Sequence, residues 1–362
     1  MRITIPLMPK GELKEALRWE IKGHLPVSIE SVQTDFHILH EFVEKGVKKL
    51  EVIAVACPHH LIDRVLSIAK GAGLKPTHLD IGAFAFWNVL LAFDGLGKEE
   101  VVALVDLGAE KTGVHLFKDG ILQFSREITP AGADITRAIM EGIESEEEPY
   151  LLYQRAEKIK EEMGIPDKAF QERIDNKTIN LSKIPFFVRP VLERLAAEIK
   201  RSLDYYRNQF HVERIDRLLL TGGGANLKNI TAYLADELRL PVEEFCPFRD
   251  LLYDPKKMDE QAVQNLDPMS PMLTIATGVA LPALKRIELL PAKEPLWSRL
   301  RMDKWVPVVS PLITLLVFSW IFWDMNTREA AIRKERDVKV EKVKTLEMLQ
   351  SKLKLLKQKR SR

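Results

Sequence analysis

The chain has 362 residues, 54 Lys or Arg against 52 Asp or Glu, and 46% apolar residues. That apolar share excludes a disordered chain, and a net charge of +2 excludes any global pull towards nucleic acid. The two cysteines, Cys57 and Cys246, stand far apart, form no disulfide framework and suit a reducing compartment.

Residues 1–100 read as a small α+β domain of order βαββαβα. Arg2–Leu7 is a short strand. Leu13, Ala16, Leu17 and Ile21 mark one face of a helix from Gly11 to His24. Val32–Leu39 and Leu50–Cys57 are β-branched runs around a charged turn at Glu44-Lys45-Gly46. A helix from His60 to Ala72 stops at Gly73. Lys75–Asp80 reads as a returning strand and Phe84–Phe93 as an apolar helix. Cys57, His59 and His60 are metal-ligand types, but no second ligand pair follows, and Pro58 and His59 more simply open the helix.

At Val101 the pattern changes. Val101–Asp106, Thr112–Phe117 and Ile121–Arg126 read as three strands joined by tight turns at Gly108 and Gly120. Asp106 ends a buried strand two residues before Gly108. A carboxylate there can hold magnesium or its waters, and glycine admits a phosphate; the plainer reading is a turn between strands. Glu141–Met163 is a charged helix with a capping-box pattern at Ser145 and Glu148, and Ile174–Leu181 reads as strand.

Pro190–Phe210 is a long helix, with Leu192, Leu195, Ile199, Leu203, Tyr206 and Phe210 on one face. Ile215–Leu220 is a buried strand ending in Gly222-Gly223-Gly224, and Asn226 caps a helix Leu227–Leu238. Strand, glycine turn and helix is the geometry that faces backbone amides towards an anion or nucleotide. Pro241–Phe248 reads as strand, Arg249–Pro268 as loop, and Met272–Leu284 as the last apolar helix.

Val306–Trp323 is 18 residues long without a charge. As a helix it reaches ~27 Å, close to the ~30 Å core of a bilayer. Trp305, Trp320 and Trp323 sit towards its ends, as at membrane interfaces. Five Lys or Arg precede it between Arg286 and Trp305, and six follow between Asp324 and Val343, so charge alone sets no orientation. The N-terminus carries no signal-peptide pattern, which places residues 1–305 in the cytoplasm and 324–362 in the periplasm of a single-pass inner-membrane protein. In that tail Val343, Leu346, Leu349, Leu353 and Leu356 form a short coiled-coil-like seam for a partner helix or a second copy.

Taken together, Asp106-Leu107-Gly108, Ala156-Glu157-x-x-Lys160, Glu198–Tyr206 and Leu218–Gly224 follow the order of motifs in the α/β actin-like ATPase fold. They resemble the PilM family of type IV pilus assembly, itself similar to FtsA, over residues 1–285. The resemblance makes 1–100 an FtsA-type inserted subdomain and 101–285 a nucleotide-binding lobe. It implies ATP and magnesium as cofactor: Asp106 and Gly108 in the second phosphate loop with Asp106 towards magnesium, Glu157 and Lys160 at the ribose, Lys200 and Arg201 on the adenine side, and Gly222, Gly223 and Gly224 at the adenosine. The family's first phosphate loop, an apolar strand with Asp-x-Gly, does not stand ahead of Arg2: either the chain is truncated at its start or that half-site is lost, and weak or absent turnover is expected for the chain as given. Residues 286–305, beginning Arg286-Ile287-Glu288-Leu289-Leu290-Pro291, resemble the docking peptide and linker of PilN, with Leu289 and Leu290 expected to bury. The implied role is a scaffold tethered to the inner membrane, in which nucleotide would shift one lobe against the other. It would link cytoplasmic components to periplasmic PilO-like and PilP-like partners. A GspL-like secretion platform and a sugar-kinase-like enzyme are the rivals.

Overall fold

The computed structural model describes residues 1–93, 96–143, 148–166, 183–249, 266–282 and 285–291, with scattered helical residues between 315 and 352. It divides into two compact units, Met1–Leu290 and Pro291–Arg362.

The first unit holds two sheets. In the smaller, β1 (Arg2–Pro6) and β2 (Val32–Glu44) flank β3 (Val47–Pro58), all antiparallel. The β2–β3 hairpin turns through Lys45 and Gly46, both with positive φ, the twist that two-residue hairpins need. One face is covered by α1 (Lys10–Lys22), whose Leu13, Leu17 and Ile21 are almost wholly buried against Ile3, Ile5, Leu50 and Val52. At ~1.5–3 kcal/mol per side chain fully removed from water, that stripe holds the helix in place. Strand β3 continues into α2 (His59–Gly71).

The larger sheet runs β6 (Ile121–Ile128), β5 (Thr112–Lys118), β4 (Val101–Leu107), β7 (Arg217–Thr221), β8 (Val242–Glu244). β4 to β6 form an antiparallel meander, while β7 and β8 add in parallel beside β4. The central strand is apolar on both faces, as a strand covered on both sides must be. Ala103, Val105 and Leu107 enter the core formed with α4 (Gly132–Gly142), α5 (Pro149–Met163), α6 (Ile184–Phe210) and α7 (Ile230–Leu238). Val102 and Leu104 point the other way, into a second core with α3 (Gly82–Ala92). Helix α3 lies between this sheet and the inner residues of β3, and α8 (Thr274–Ala280) packs beside it.

Several expectations change. Lys75–Asp80 is not a strand: Pro76 lacks an amide donor, and the backbone of Leu79 pairs with residues 288 and 289 instead. Helix α4 escapes the reading because it is short and opens with glycine, although Ile135, Ala138 and Ile139 have helical spacing. Helix α6 begins at Ile184 rather than Pro190; Ile184 and Val188 are buried and draw two further turns into the core. Asn226 ends a 3-10 turn, with its amide donated to the Pro268 carbonyl at 2.7 Å, and α7 starts only at Ile230. The strand and helix read at Pro241–Phe248 and Met272–Leu284 shrink to β8 and α8. Ile174–Leu181 and Ser145 lie outside the described residues.

In the second unit, Leu315, Leu316, Phe318, Trp320 and Trp323 are helical and exposed, as are Val343, Leu346 and Leu349. The rest of 306–323, and Leu353 and Leu356, lie outside the described residues. Among those described, no helix is long and apolar enough to cross a membrane.

Gly278 tests the α3–α8 packing. A methyl group there would overlap the Ala85 carbonyl of α3. Ala gains ~1 kcal/mol of helix propensity over Gly, but a backbone clash inside a packed core costs ~1–3 kcal/mol. Gly278→Ala should therefore lower the melting temperature; a rise would show that the two helices are not held this closely.

Candidate nucleotide cleft and peptide seat

The glycine-bearing turns meet at the end of β4. Gly222 has a φ of +84°, and a Cβ on it would overlap the Asp106 carboxyl and stand 2.7 Å from the Leu107 carbonyl. A Cβ on Gly224 would overlap the Leu107 side chain, whereas at Gly223 the first neighbour is Met272 Cγ at 3.8 Å. The loop is braced from behind by the buried Thr221 hydroxyl, which bonds the Pro271 carbonyl and Thr274 Oγ1.

On the other side of β4, the β4–β5 turn docks on the start of α4. Gly132 and Ala133 donate their amides to the carbonyls of Gly108 (2.9 Å) and Ala109 (2.7 Å), and Asp134 accepts from the Ala131 amide. Gly108 donates to carbonyls of its own turn, Asp106 and Lys111. Next to Gly132 lies the buried Lys160 ammonium, which donates to Glu157, to Thr136 Oγ1 at 2.9 Å and to the Gly132 carbonyl at 3.3 Å. Thr136 in turn donates to Glu157. Burying an ammonium is costly unless it is paired and bonded, and here it is both.

Asp106, Gly108, Glu157, Lys160 and Gly222–Gly224 are thus brought to one locus. Lys200 and Arg201 are exposed on α6, and Arg201 pairs with Glu198 one turn back. Sequence reasoning missed His115, which is buried beside Asp106 across Gly113 and bonds Ser125 Oγ at 3.0 Å through Nδ1. Burial lowers its pKa to about 4, so it is neutral. Its signal was a histidine alternating with apolar residues in a buried strand.

Part of the donor set that a magnesium–triphosphate group would need is already used within the chain. The Gly108 amide and the first amides of α4 are spent on the chain's own carbonyls, and Lys160 is held by Glu157 and Thr136. Gly222 and Gly224 are needed for the chain's own packing on β4; only Gly223 opens outwards.

Asp106 remains the distinctive group. Among the described residues no donor or cation reaches its carboxyl, and burial raises its pKa to about 6. A folded-state pKa above the unfolded value contributes stability that is full below the unfolded value of 3.8 and is lost as pH rises through about 6. The full linkage is ~3 kcal/mol, and partial exposure reduces it to about 1–2 kcal/mol. Asp106→Asn should be more stable than the parent chain at pH 7.5, with the gap closing at acidic pH. Thermal unfolding at both pH values checks this, and an equal offset at both contradicts it.

The second site is the seat of residues 285–290. Asn88, buried on α3, holds the Lys285 backbone from both sides, its amide donating to the carbonyl and its oxygen accepting the N–H, each at 2.9 Å. Ile287 and Leu289 are 0% and 2% exposed in the core that includes Phe84, Trp87 and Leu104. An extended chain alternates its faces, so the buried pair is Ile287 with Leu289. This corrects the expectation for Leu290, which is only half-buried, and Pro291 is exposed. Glu288 faces away and ties the edge: its carboxylate bonds His78 Nδ1 at 2.8 Å and accepts the amides of Leu79 and Leu290. Burial opposes its charge, but the His78 bond and the two amides outweigh that and hold its pKa below the usual glutamate value. The Glu288 amide donates to Asp35 at 2.7 Å, and that of Leu289 to the Leu79 carbonyl at 2.9 Å.

Residues 3–284 match the family model for the type IV pilus assembly protein PilM. Cell division protein FtsA of Bacillus subtilis (strain 168) is 25% identical over 206 residues, 55% of this chain and 45% of FtsA. The chain thus spans less than half the length of that relative. A chain of the solved PilM–PilN type IV pilus biogenesis complex is 28% identical, with a TM-score of 0.64, over 78% of this chain and 76% of its own length. The chain belongs to the family of the type IV pilus assembly protein PilM and has the actin-like ATPase fold.

Proposed function

We propose that this chain is a scaffold of type IV pilus assembly: a PilM-type platform joined to a PilN-like segment that tethers it to the inner membrane. The observation that carries the reading is the seat of Ile287 and Leu289, an extended peptide buried in the platform's core and leading into the linker before residues 306–323. The similar solved structure is a complex of PilM with PilN, which supports a PilN-like partner segment here. The tether is supported by the uncharged run and by the exposure of Leu315, Leu316, Phe318, Trp320 and Trp323 in unit two. Such a row of large apolar side chains is stable in lipid or under a partner, not in water. From the far side of the membrane the tail's seam would meet PilO-like partners, with PilP-like proteins beyond.

Topology tests the tether. In a background of Cys57→Ser and Cys246→Ser, Ser298→Cys and Ser351→Cys are probed with a membrane-impermeant thiol reagent on intact spheroplasts. Labelling at position 351 with protection at 298 is expected; the reverse pattern, or protection at both, means that the orientation or the span is wrong.

In this reading the platform transmits position rather than chemistry, so ATP turnover has no part in it. The purified chain with magnesium and ATP should hydrolyse no faster than its Asp106→Ala variant. Turnover that disappears with that substitution would overturn the scaffold reading in favour of an ATPase.

A further inference from the structure

Helix α2 has a face that the fold leaves uncovered. Leu61, Val65 and Ile68 step by four and three and form one stripe, exposed by 45, 49 and 65%. Leu74, just past the helix, is 67% exposed. The adjoining side does the packing: Ile62 lies in the same buried core as Ile287 and Leu289. A continuous apolar stripe of this kind calls for a partner.

Charge and chain path indicate which one. At ~100° per residue, Arg64 stands about 60° from the middle of the stripe, and the one acid of α2, Asp63, stands about 170° away. Lys75 follows Leu74, and both cations are exposed. Within α2 and the segment that follows it, the charge bordering the stripe is therefore positive, the pattern of a helix lying in the interface of an anionic bilayer. The chain path leads to the same place. His78, bonded to Glu288 at 2.8 Å, is four residues past Leu74, which limits their separation to about 14 Å. Two residues after Glu288 the first unit ends, and residues 291–305 lead to the uncharged run. The Leu74 end of the face thus lies within about 14 Å of the His78–Glu288 contact, close to where the first unit ends.

We propose that this face of α2 rests on the anionic headgroup surface of the membrane in which residues 306–323 are anchored. This rests on the tether reading above, and it adds a second contact that sets how the platform stands on the bilayer.

The test uses the full chain with both native cysteines replaced by serine. Ala72→Cys, exposed and in line with the stripe, carries an environment-sensitive fluorophore, and Arg214→Cys serves as a control. The protein is reconstituted into vesicles of phosphatidylcholine alone or with phosphatidylglycerol, and flotation establishes insertion. Expected is a blue-shifted, brighter probe at position 72 only in anionic vesicles, reversed by high salt and weakened about fivefold by each of Arg64→Gln and Lys75→Gln. An inserted chain with the same emission in both vesicle types overturns the proposal and leaves the tether standing. A chain that does not float overturns both. A blue shift in detergent that grows with protein concentration gives the face to a second copy and overturns the proposal.

Discussion

Helix α3 is the constraint on which the first unit depends. From Ala83 to Leu90 every residue is buried, so the helix has no side that can face water. It has to be covered all round, and parts of the chain far apart in sequence cover it. They include the inner residues of β3 and α2, Val102 and Leu104 of β4, Phe117 and Leu122 of the β5–β6 hairpin, helix α8 through Gly278, and the Lys285–Leu290 strap. Asn88 is the one polar side chain in that run, and both halves of its amide are used on the strap backbone. An unmatched amide there would cost ~1–3 kcal/mol, so the strap belongs to the fold and is not an accessory laid upon it.

The cleft lies at the end of β4, and the strap seat lies on the face that Val102 and Leu104 present. Odd-numbered residues of β4 fill the core beneath α4 to α7, and even-numbered ones fill the core around α3. A nucleotide cleft and a peptide seat therefore share one strand. The glycines that mark a nucleotide site in sequence are used here for close packing on Leu107, and the lysine that would meet a ribose is neutralised by Glu157. Several of the donors that would face a nucleotide are thus used within the chain.

Much of this was legible in the residues. Period-two and period-3.6 patterns located β1 to β7 and the faces of α1 and α6, because burial on one side leaves its mark on composition; on α2 the apolar spacing of Leu61, Val65 and Ile68 marks an exposed stripe instead. The motifs around Asp106, Glu157, Lys160 and Gly222–Gly224 do converge in space. Three things were not legible. Whether Lys75–Asp80 pairs as a strand depends on a neighbour far along the chain, and here that neighbour is the strap. Helix α4 opens with glycine, whose place is set by tight packing on Gly108 rather than by propensity. Which leucine of the strap buries depends on register, and alternation chose Ile287 and Leu289 over Leu290. The adenine-side role for Lys200 and Arg201 came from resemblance alone, and on α6 both side chains lie exposed.

The central claim is that the strap completes the platform's core. Hydrogen exchange of the full chain reports it directly, read at the amides of Phe84–Leu90 in the parent and in the Ile287→Asp, Leu289→Asp double variant. The account predicts that α3 loses protection in the variant while α1, packed on the far face of the smaller sheet, keeps most of its own. Unchanged protection across α3 would contradict it, showing that the helix is covered without the strap.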